Sequence, residues 1–484
     1  MFGRTAHMGD RPRYPTEDPR DGRWRSTSTE QILAGDVLTQ IDDIGAVDIL
    51  VGIPSFNNAE TIGYVITAVE AGLRRHFPEH SAVICVSDGG SEDGTPEVAR
   101  SAGVGGDTEQ LLVNATTDVP RKIVFQYRGT PGKGSAFRSI FGVAVALHAR
   151  ACAVVDSDLR SITPQWIDQL LGPIVQHGYG FVAPVYSRHK FDGTITNSFA
   201  YPLTTALYGA RLRQPIGGEF GFSGELARTF AAEEDVWESD VARFGIDIWM
   251  TTVAIVEGFR TCQALLGAKI HDAKDPGKDL GPMFRQVVGS LFALAGRYED
   301  RWEEVEDDRE PPTFGFRAAY SAEPIQVSVP RLTWKFVEGY VRYHEMWRRV
   351  LSEDSMAGVE HAVRDAAENT RGLVLDAQTW TTIVFDYLIA YNARDVDPAP
   401  LLDSLIPLYF ARTATFIQDV WTDSYEEAEA KVEDAVDLAV ELKPYLRKRW
   451  AERDVPPHPL IDQPVPEAGV TPEGIEEAIS AETP

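Results

Sequence analysis

AVVDSDLRSI, residues 153–162, carries the chain from aliphatic residues straight into two aspartates separated only by Ser157. An apolar run that stops at polar, turn-forming residues reads as a buried strand ending in a loop. The ordinary account of that ending is an acidic strand-to-helix turn, with Asp158 or Ser161 capping the helix suggested by TPQWIDQLL. The other account is a pair of carboxylates offered to a cation at the strand's end. A bare D-x-D favours the first, so its surroundings must decide.

Working outward, short β-rich runs alternate with helical patterns from about residue 46 to 185. VDILVGIP precedes a helix from Thr61 to about Arg75, SAVICVSD precedes EDGTPEVARSAG, and KIVFQY precedes GSAFRSIFGVAVALHA. ACAVVDSD then precedes PQWIDQLLGPIV, and GFVAPVY follows. This alternation predicts an α/β, Rossmann-like architecture with a mostly parallel sheet and crossover helices. VDILVGI and AVICVS are almost continuously apolar, as strands covered on both faces must be. Ligands of such sheets bind beyond the carboxyl ends of strands, where PSFNN, SDGGSEDG and DSDL all fall.

Beyond about residue 186 the pattern is less regular and richer in glycine, as a loop-borne acceptor region would be. Helical periodicity returns from 325 to 454 in RLTWKFVEGYVRYHEMWRRVL, TTIVFDYLIAYN, LLDSLIPLYFARTATFIQDVW and EEAEAKVEDAVDLAVELKPYL, and predicts an α-helical C-terminal domain. Its aromatics read as core and interface packing, and they suggest a homo-oligomer. Residues 1–28 and 455–484 lack an apolar period and are expected to be a disordered segment and a flexible acidic tail.

Three cysteines, Cys85, Cys152 and Cys262, stand far apart in apolar surroundings and read as core residues rather than a disulfide framework or zinc cluster. No run approaches the roughly 20 apolar residues of a membrane span, and no apolar leader is visible, so a cytoplasmic location is expected. A formal net charge of -27 argues against nucleic-acid binding. It also means that an anionic substrate needs a local metal, lysine or arginine.

PSFNNAETI after a first strand, SDGGSEDGT after a second, PGKGSAF after a third and VVDSDL after a fourth resemble the nucleotide-sugar half of an A-fold glycosyltransferase. QPIGGEFGFS, FGIDIWMTT, AKIHDAKD and FRQVVGSLFAL narrow the resemblance to retaining enzymes that make glucosyl- or mannosyl-glycerates: the glucosyl-3-phosphoglycerate, mannosylglycerate and glucosylglycerate synthases. It covers about residues 46 to 295. The resemblance implies a glycosyltransferase domain over 29–324, with a nucleotide-sugar half at 46–185 and an acceptor half at 186–300.

The chemistry suits the residue types. A leaving nucleoside diphosphate gains negative charge as the sugar bond breaks, so a dication on hard oxygen ligands stabilises the transition state most. The resemblance implies Asp158 as direct ligand, His271 completing the metal site, and Asp156 reaching ribose or metal-bound water. Magnesium or manganese is expected, with cobalt also suited to an imidazole. Donor contacts implied are Pro54, Ser55, Phe56, Asn58, Asp88, Gly89, Asp156 and Ser157, with Lys133 at a helix start facing phosphate. Gly217 and Gly218 would let the backbone approach the sugar, and Glu219 would bind its hydroxyls. Asp247 would stand near sugar and acceptor, and Asp247, Lys133 and Glu219 are the expected catalytic set.

Arg188 and Thr196 match positions that hold the acceptor's carboxylate. The phosphoglycerate-using enzymes carry an arginine where this chain has Thr194, and losing that charge-assisted contact costs on the order of 1.5 to 3 kcal/mol. The lean is therefore to D-glycerate over 3-phosphoglycerate, with Lys190 as a candidate for compensation. Asn58 stands where a glutamate is common, which leaves a UDP- or GDP-linked donor open. Taken singly, most of these residues have an ordinary reading: a solvated loop lysine, an exposed strand-end histidine, a first-turn carboxylate, a tight glycine turn. Two competing functions stand beside this one. One is an inverting, family-two-like transferase with another acceptor, opposed by the absence of a membrane span and of a Q-x-x-R-W motif. The other is a catalytically silent sugar-nucleotide-binding scaffold.

Overall fold

Burial along the whole of Ile49–Ser55 and all but the first residue of Ala82–Asp88 requires a layer of helices on each face of the sheet these strands form. The computed structural model describes residues 33, 35–103, 119–270, 276–316, 325–368, 372–393 and 395–453. The segments expected to be disordered, 1–28 and 455–484, lie outside the described residues.

The strands are β1 (Ile49–Ser55), β2 (Ala82–Asp88), β3 (Arg121–Gln126), β4 (Ala151–Val154), β5 (Phe181–Ser187), β6 (Phe220–Ser223), β7 (Thr261–Ala268) and β8 (Thr313–Phe314). They form one sheet in the order β3-β2-β1-β4-β6-β5-β7-β8. All neighbours pair in parallel except β6, which runs antiparallel to both β4 and β5. The expected α/β architecture with a mostly parallel sheet is therefore present, as is the helical C-terminal region.

Helices Ile62–His76 and Pro164–His177 cover one face. Lys133–Ala146 and Ile246–Val256 cover the other, and the core there continues into the C-terminal helices. Each large apolar side chain buried this way contributes about 1.5–3 kcal/mol. Glycine matters where layers meet: a Cβ on Gly52 in β1 would overlap Ile140 of the helix that begins at Lys133.

Two expectations need correction. The helix after D-x-D is capped at Thr163, with Pro164 as its first residue, rather than at Asp158 or Ser161. A proline at that position needs no hydrogen-bond partner for its nitrogen. Ser161 instead accepts from the Ile270 amide at 2.9 Å. The region from about 186 to 290, read as irregular, holds β6, β7 and most of the helix Pro276–Arg297. FGFS is too short and TCQALLGA too rich in small residues to show a period of two.

The C-terminal region folds into helices Val329–Val350, Glu353–Glu368, Ala377–Ala393, Pro398–Asp419, Tyr425–Glu441 and Lys443–Ala451. Many of its aromatics are core, Trp347, Trp380, Trp450, Tyr387 and Tyr409 being buried, while Trp421 and Tyr425 are exposed. Charged pairs tie it to the rest of the chain, Arg211 reaching Glu433 and Asp437, and Arg213 reaching Glu429.

Candidate functional site

β1, β2 and β4 run parallel and end together, so the loops after them meet. Asp88, at the end of β2, accepts from Ser55 Oγ at 2.9 Å, the Gly90 and Ser91 amides at 2.9 and 2.8 Å, and Ser91 Oγ at 2.7 Å. Gly90 holds φ at +90°, a conformation that suits glycine. Asn58 Oδ1 accepts from the Phe56 amide at 3.1 Å and from Ser157 Oγ at 2.8 Å. Phe56 projects from this loop largely exposed, and a Cβ on Gly89 would press against it at 3.1 Å. The expected donor residues Ser55, Phe56, Asn58, Asp88, Gly89 and Ser157 thus gather at one set of strand ends, with Pro54 in β1 behind them.

A second cluster arises because β6 is antiparallel. Val154 pairs with Phe220, so Asp156, just past β4, meets Glu219, just before β6. The Asp156 amide points to Glu219 Oε1 at 3.4 Å. Two lysines close the group. Lys133 Nζ lies 2.9 Å from Asp156 and 3.2 Å from Asp247 Oδ1, the latter without hydrogen-bond alignment. Lys269 Nζ donates to Asp156 at 3.0 Å, to both Glu219 oxygens at 2.9 Å and to the Gly217 carbonyl at 3.0 Å. Tyr186 OH donates to Glu219 Oε2. Lys133 is correspondingly part-buried rather than exposed, 16% accessible along its side chain. Asp247 lies in the first turn of Ile246–Val256, so its ordinary reading and its place in the cluster coincide.

Three carboxylates share two ammonium groups here, and burial amplifies the imbalance. Burial raises the Glu219 carboxyl to about 7, Lys269 opposing and Asp156 adding to the rise. It also raises Asp247, with Lys133 opposing. Burial acts the same way on Asp156, but Lys133 and Lys269 outweigh it and hold that carboxyl well below its usual range. Both lysines stay above their ordinary value, the facing carboxylates overcoming desolvation. Gly218, at φ +92°, completes the cradle: a Cβ would stand 2.5 Å from Asp156 Oδ2 and 2.7 Å from Lys269 Nζ.

Asp158 differs from its neighbours. It is half-buried, and no hydrogen bond or ion pair from the described residues meets its carboxylate. An open cleft bordered by Glu60, Thr61, Tyr64, Leu159 and Arg160 adjoins its loop. His271 lies outside the described residues, and no group of three or more metal-type ligands occurs among those described.

Sequence reasoning missed Lys269 and Tyr186. Lys269 was visible in AKIHD, but only the β5–β7 register, in which Ser187 pairs with Ala268, brings it beside Asp156 and Glu219. Tyr186 looked like a strand aromatic because nothing local marks a hydroxyl aimed at a buried acid.

The acceptor loop is built differently. Gly193, at φ +64°, sits against both Arg188 and Thr196, which keeps those two expected carboxylate contacts together. Arg188 Nε is buried without a hydrogen-bond partner, and the guanidinium lies over the Tyr186 ring at 5.2 Å. Thr194 faces the other way, its hydroxyl bonded to Tyr409 of the helix Pro398–Asp419. Lys190 donates to the carbonyls of Val420, Trp421 and Asp423 at 2.7, 2.9 and 2.8 Å, just past that helix's end. The expectation that Lys190 compensates at an acceptor phosphate is not met, because its three N–H bonds are engaged where helix carbonyls lack partners. Phe191 stacks on Trp421 at 5.6 Å, and Trp380 Nε1 donates to Ser198 O at 3.1 Å.

Residues 50–222 match the model of glycosyl transferase family 2. Over 263 residues the chain is 27% identical to glucosyl-3-phosphoglycerate synthase of Mycolicibacterium smegmatis, covering 50% of this chain and 76% of that protein. Among solved structures, glucosyl-3-phosphoglycerate synthase of Mycobacterium tuberculosis with Mn2+, UDP-glucose and phosphoglyceric acid is 23% identical, with a TM-score of 0.38 over 55% of this chain and 85% of that one. Its complex with Mg2+ and UDP is 22% identical, with a TM-score of 0.38 over 54% and 83%.

Proposed function

We propose, from the premise that residues 50–222 are a glycosyl transferase family 2 domain, that the protein moves a hexose from a nucleoside diphosphate to D-glycerate. The observation that carries this is the contrast between two carboxylates one residue apart. Asp156 is locked between Lys133 and Lys269, while Asp158 is left without a partner among the described residues. On a protein of net charge -27, the two lysines supply local cations for a diphosphate.

A free hard-oxygen ligand at a strand end fits a divalent cation, magnesium, manganese or cobalt, with His271 as second ligand. Bound on Asp158, that ion supplies charge to the departing diphosphate. The chain's own residues do the rest. The Phe56–Asn58 loop and Asp88 seat the nucleoside, and Lys133 stands ready to exchange a carboxylate for phosphate oxygens. Glu219 and Asp247 border the sugar, and Arg188 with Thr196 turns the acceptor hydroxyl towards the anomeric carbon. The acceptor C–O bond forms as the sugar–diphosphate bond breaks, and a leaving-group oxygen takes the proton.

D-glycerate is favoured over 3-phosphoglycerate because Thr194 and Lys190 are both engaged by the helical domain. The family 2 match over residues 50–222 does not separate a retaining enzyme from its inverting competitor, so the product decides between them. Purified protein would be incubated with UDP-, GDP- and ADP-hexoses and with D-glycerate or 3-phosphoglycerate, with and without divalent ions. Mass and anomeric coupling constants identify the product. Transfer to glycerate with retention is expected; inversion, undiminished turnover in excess EDTA, or a strong preference for the phosphorylated acceptor would each overturn part of the reading.

A further inference from the structure

Arg412 is out of keeping with its surroundings. It lies on the helix Pro398–Asp419, one turn beyond Tyr409, and is only 8% exposed. Its Nη1 donates to the Leu375 carbonyl at 3.3 Å, and the acids that act on it, Asp419 and Asp376, do so at a distance without forming an ion pair. Burial lowers its pKa, as expected for a cation with no close counter-ion.

A guanidinium has five N–H groups, and a buried charge is retained only where it is paired or hydrogen-bonded. The neighbouring Thr413 hydroxyl is also buried without a partner of good geometry. Both residues line a cavity between the segment 194–203 and the C-terminal helices, together with Thr194, Asn197, Trp380 and Lys431. The other cation there is already occupied: Lys431 pairs with Asp423 at 2.8 Å and donates to Asp419 O at 2.6 Å. The cavity measures about 30 Å³, room for roughly two water molecules.

We propose that this cavity is a binding site for one small monovalent anion, a halide or a single carboxylate group, held by Arg412 and steadying the acceptor loop from behind. The link to the loop is direct, since Thr194 and Asn197 form part of the cavity's wall and flank Thr196 in the chain, with Gly193 against both Arg188 and Thr196. Only that effect on the acceptor rests on the proposed function; anion binding itself does not.

The test follows thermal unfolding of the full chain in sodium formate, sodium chloride and sodium gluconate at equal ionic strength, gluconate being too large to enter. Formate and chloride should raise the midpoint by about 2 °C over gluconate. Arg412→Met should abolish that difference while unfolding in gluconate no earlier than the unsubstituted protein, because it removes an unpaired buried charge. Thr413→Val, a milder change, should weaken the difference if Arg412→Met fails to fold. In turnover assays formate should lower the acceptor KM about five-fold with kcat unchanged, and Arg412→Met should remove that dependence. Equal midpoints in all three salts, or a formate shift that survives Arg412→Met, would overturn the site. An Arg412-dependent shift with 3-phosphoglycerate but not with formate would overturn the assignment to a small monovalent anion. A midpoint shift without transfer to glycerate leaves the anion site standing and rejects only the proposed function.

Discussion

The proposed donor side and the proposed acceptor side are held by opposite means. On the donor side the sheet itself sets the geometry: β4, antiparallel β6 and β7 bring Asp156, Glu219 and Lys269 into one buried charged group. On the acceptor side a glycine-containing loop takes its position from outside the sheet, through Lys190 on three carbonyls and Thr194 on Tyr409. Rigid pairing suits the half where charge moves. A loop held by the C-terminal helices suits the proposed acceptor side, where a substrate must enter and leave.

The strongest way to break that contrast is Asp158→Ala. It should cost about 10³-fold in turnover with little change in stability, because no described protein group depends on that carboxylate. Circular dichroism and steady-state rates check both halves; a stability loss comparable to that of a core substitution would mean Asp158 is structural.

Next in size is Lys269→Met, which strands Asp156 and Glu219 with a single ammonium nearby. Urea unfolding should show a loss of about 3 kcal/mol. Adding Glu219→Gln should restore part of it, since one buried acid then needs no counter-charge.

The pH dependence sharpens the same point. Glu219 is raised to about 7 when folded, so the folded state holds a proton that the unfolded chain releases near 4.3. Its contribution is therefore full at low pH and lost as pH rises from there through about 7, at most about 4 kcal/mol over that window. Unfolding free energies at several pH values should show this decline, and Glu219→Gln should flatten it.

The smallest expected effect lies on the acceptor side. Lys190→Met should raise the acceptor KM about ten-fold, equivalent to about 1.4 kcal/mol, with donor KM and kcat within two-fold. Lys190→Arg should recover part of the loss because it keeps several donors. Equal changes in both KM values would mean that the two sides are not held independently.

Much of this was legible because strands covered on both faces must be apolar and must end in polar turns. VDILVGIP, SAVICVSD and ACAVVDSD announce both features, and Asp88, Asp156 and Asp158 stand where they should. Lys133 was legible as a helix start, but its partners were not, because Asp247 is more than a hundred residues away in sequence. β6 hid behind four residues, and with it the pairing that joins Asp156 to Glu219.

What the residue pattern determined by itself was the alternating α/β order, the strand-end loops and the supply of acids and lysines, since periodicity and turn chemistry act over a few neighbours. What only the tertiary structure decided was which charges share a site. That depends on strand direction and register, and on a helical domain whose carbonyls hold Lys190 from more than two hundred residues away. Local sequence carries propensity, whereas long-range pairing is settled by which packing leaves the fewest buried charges unmatched.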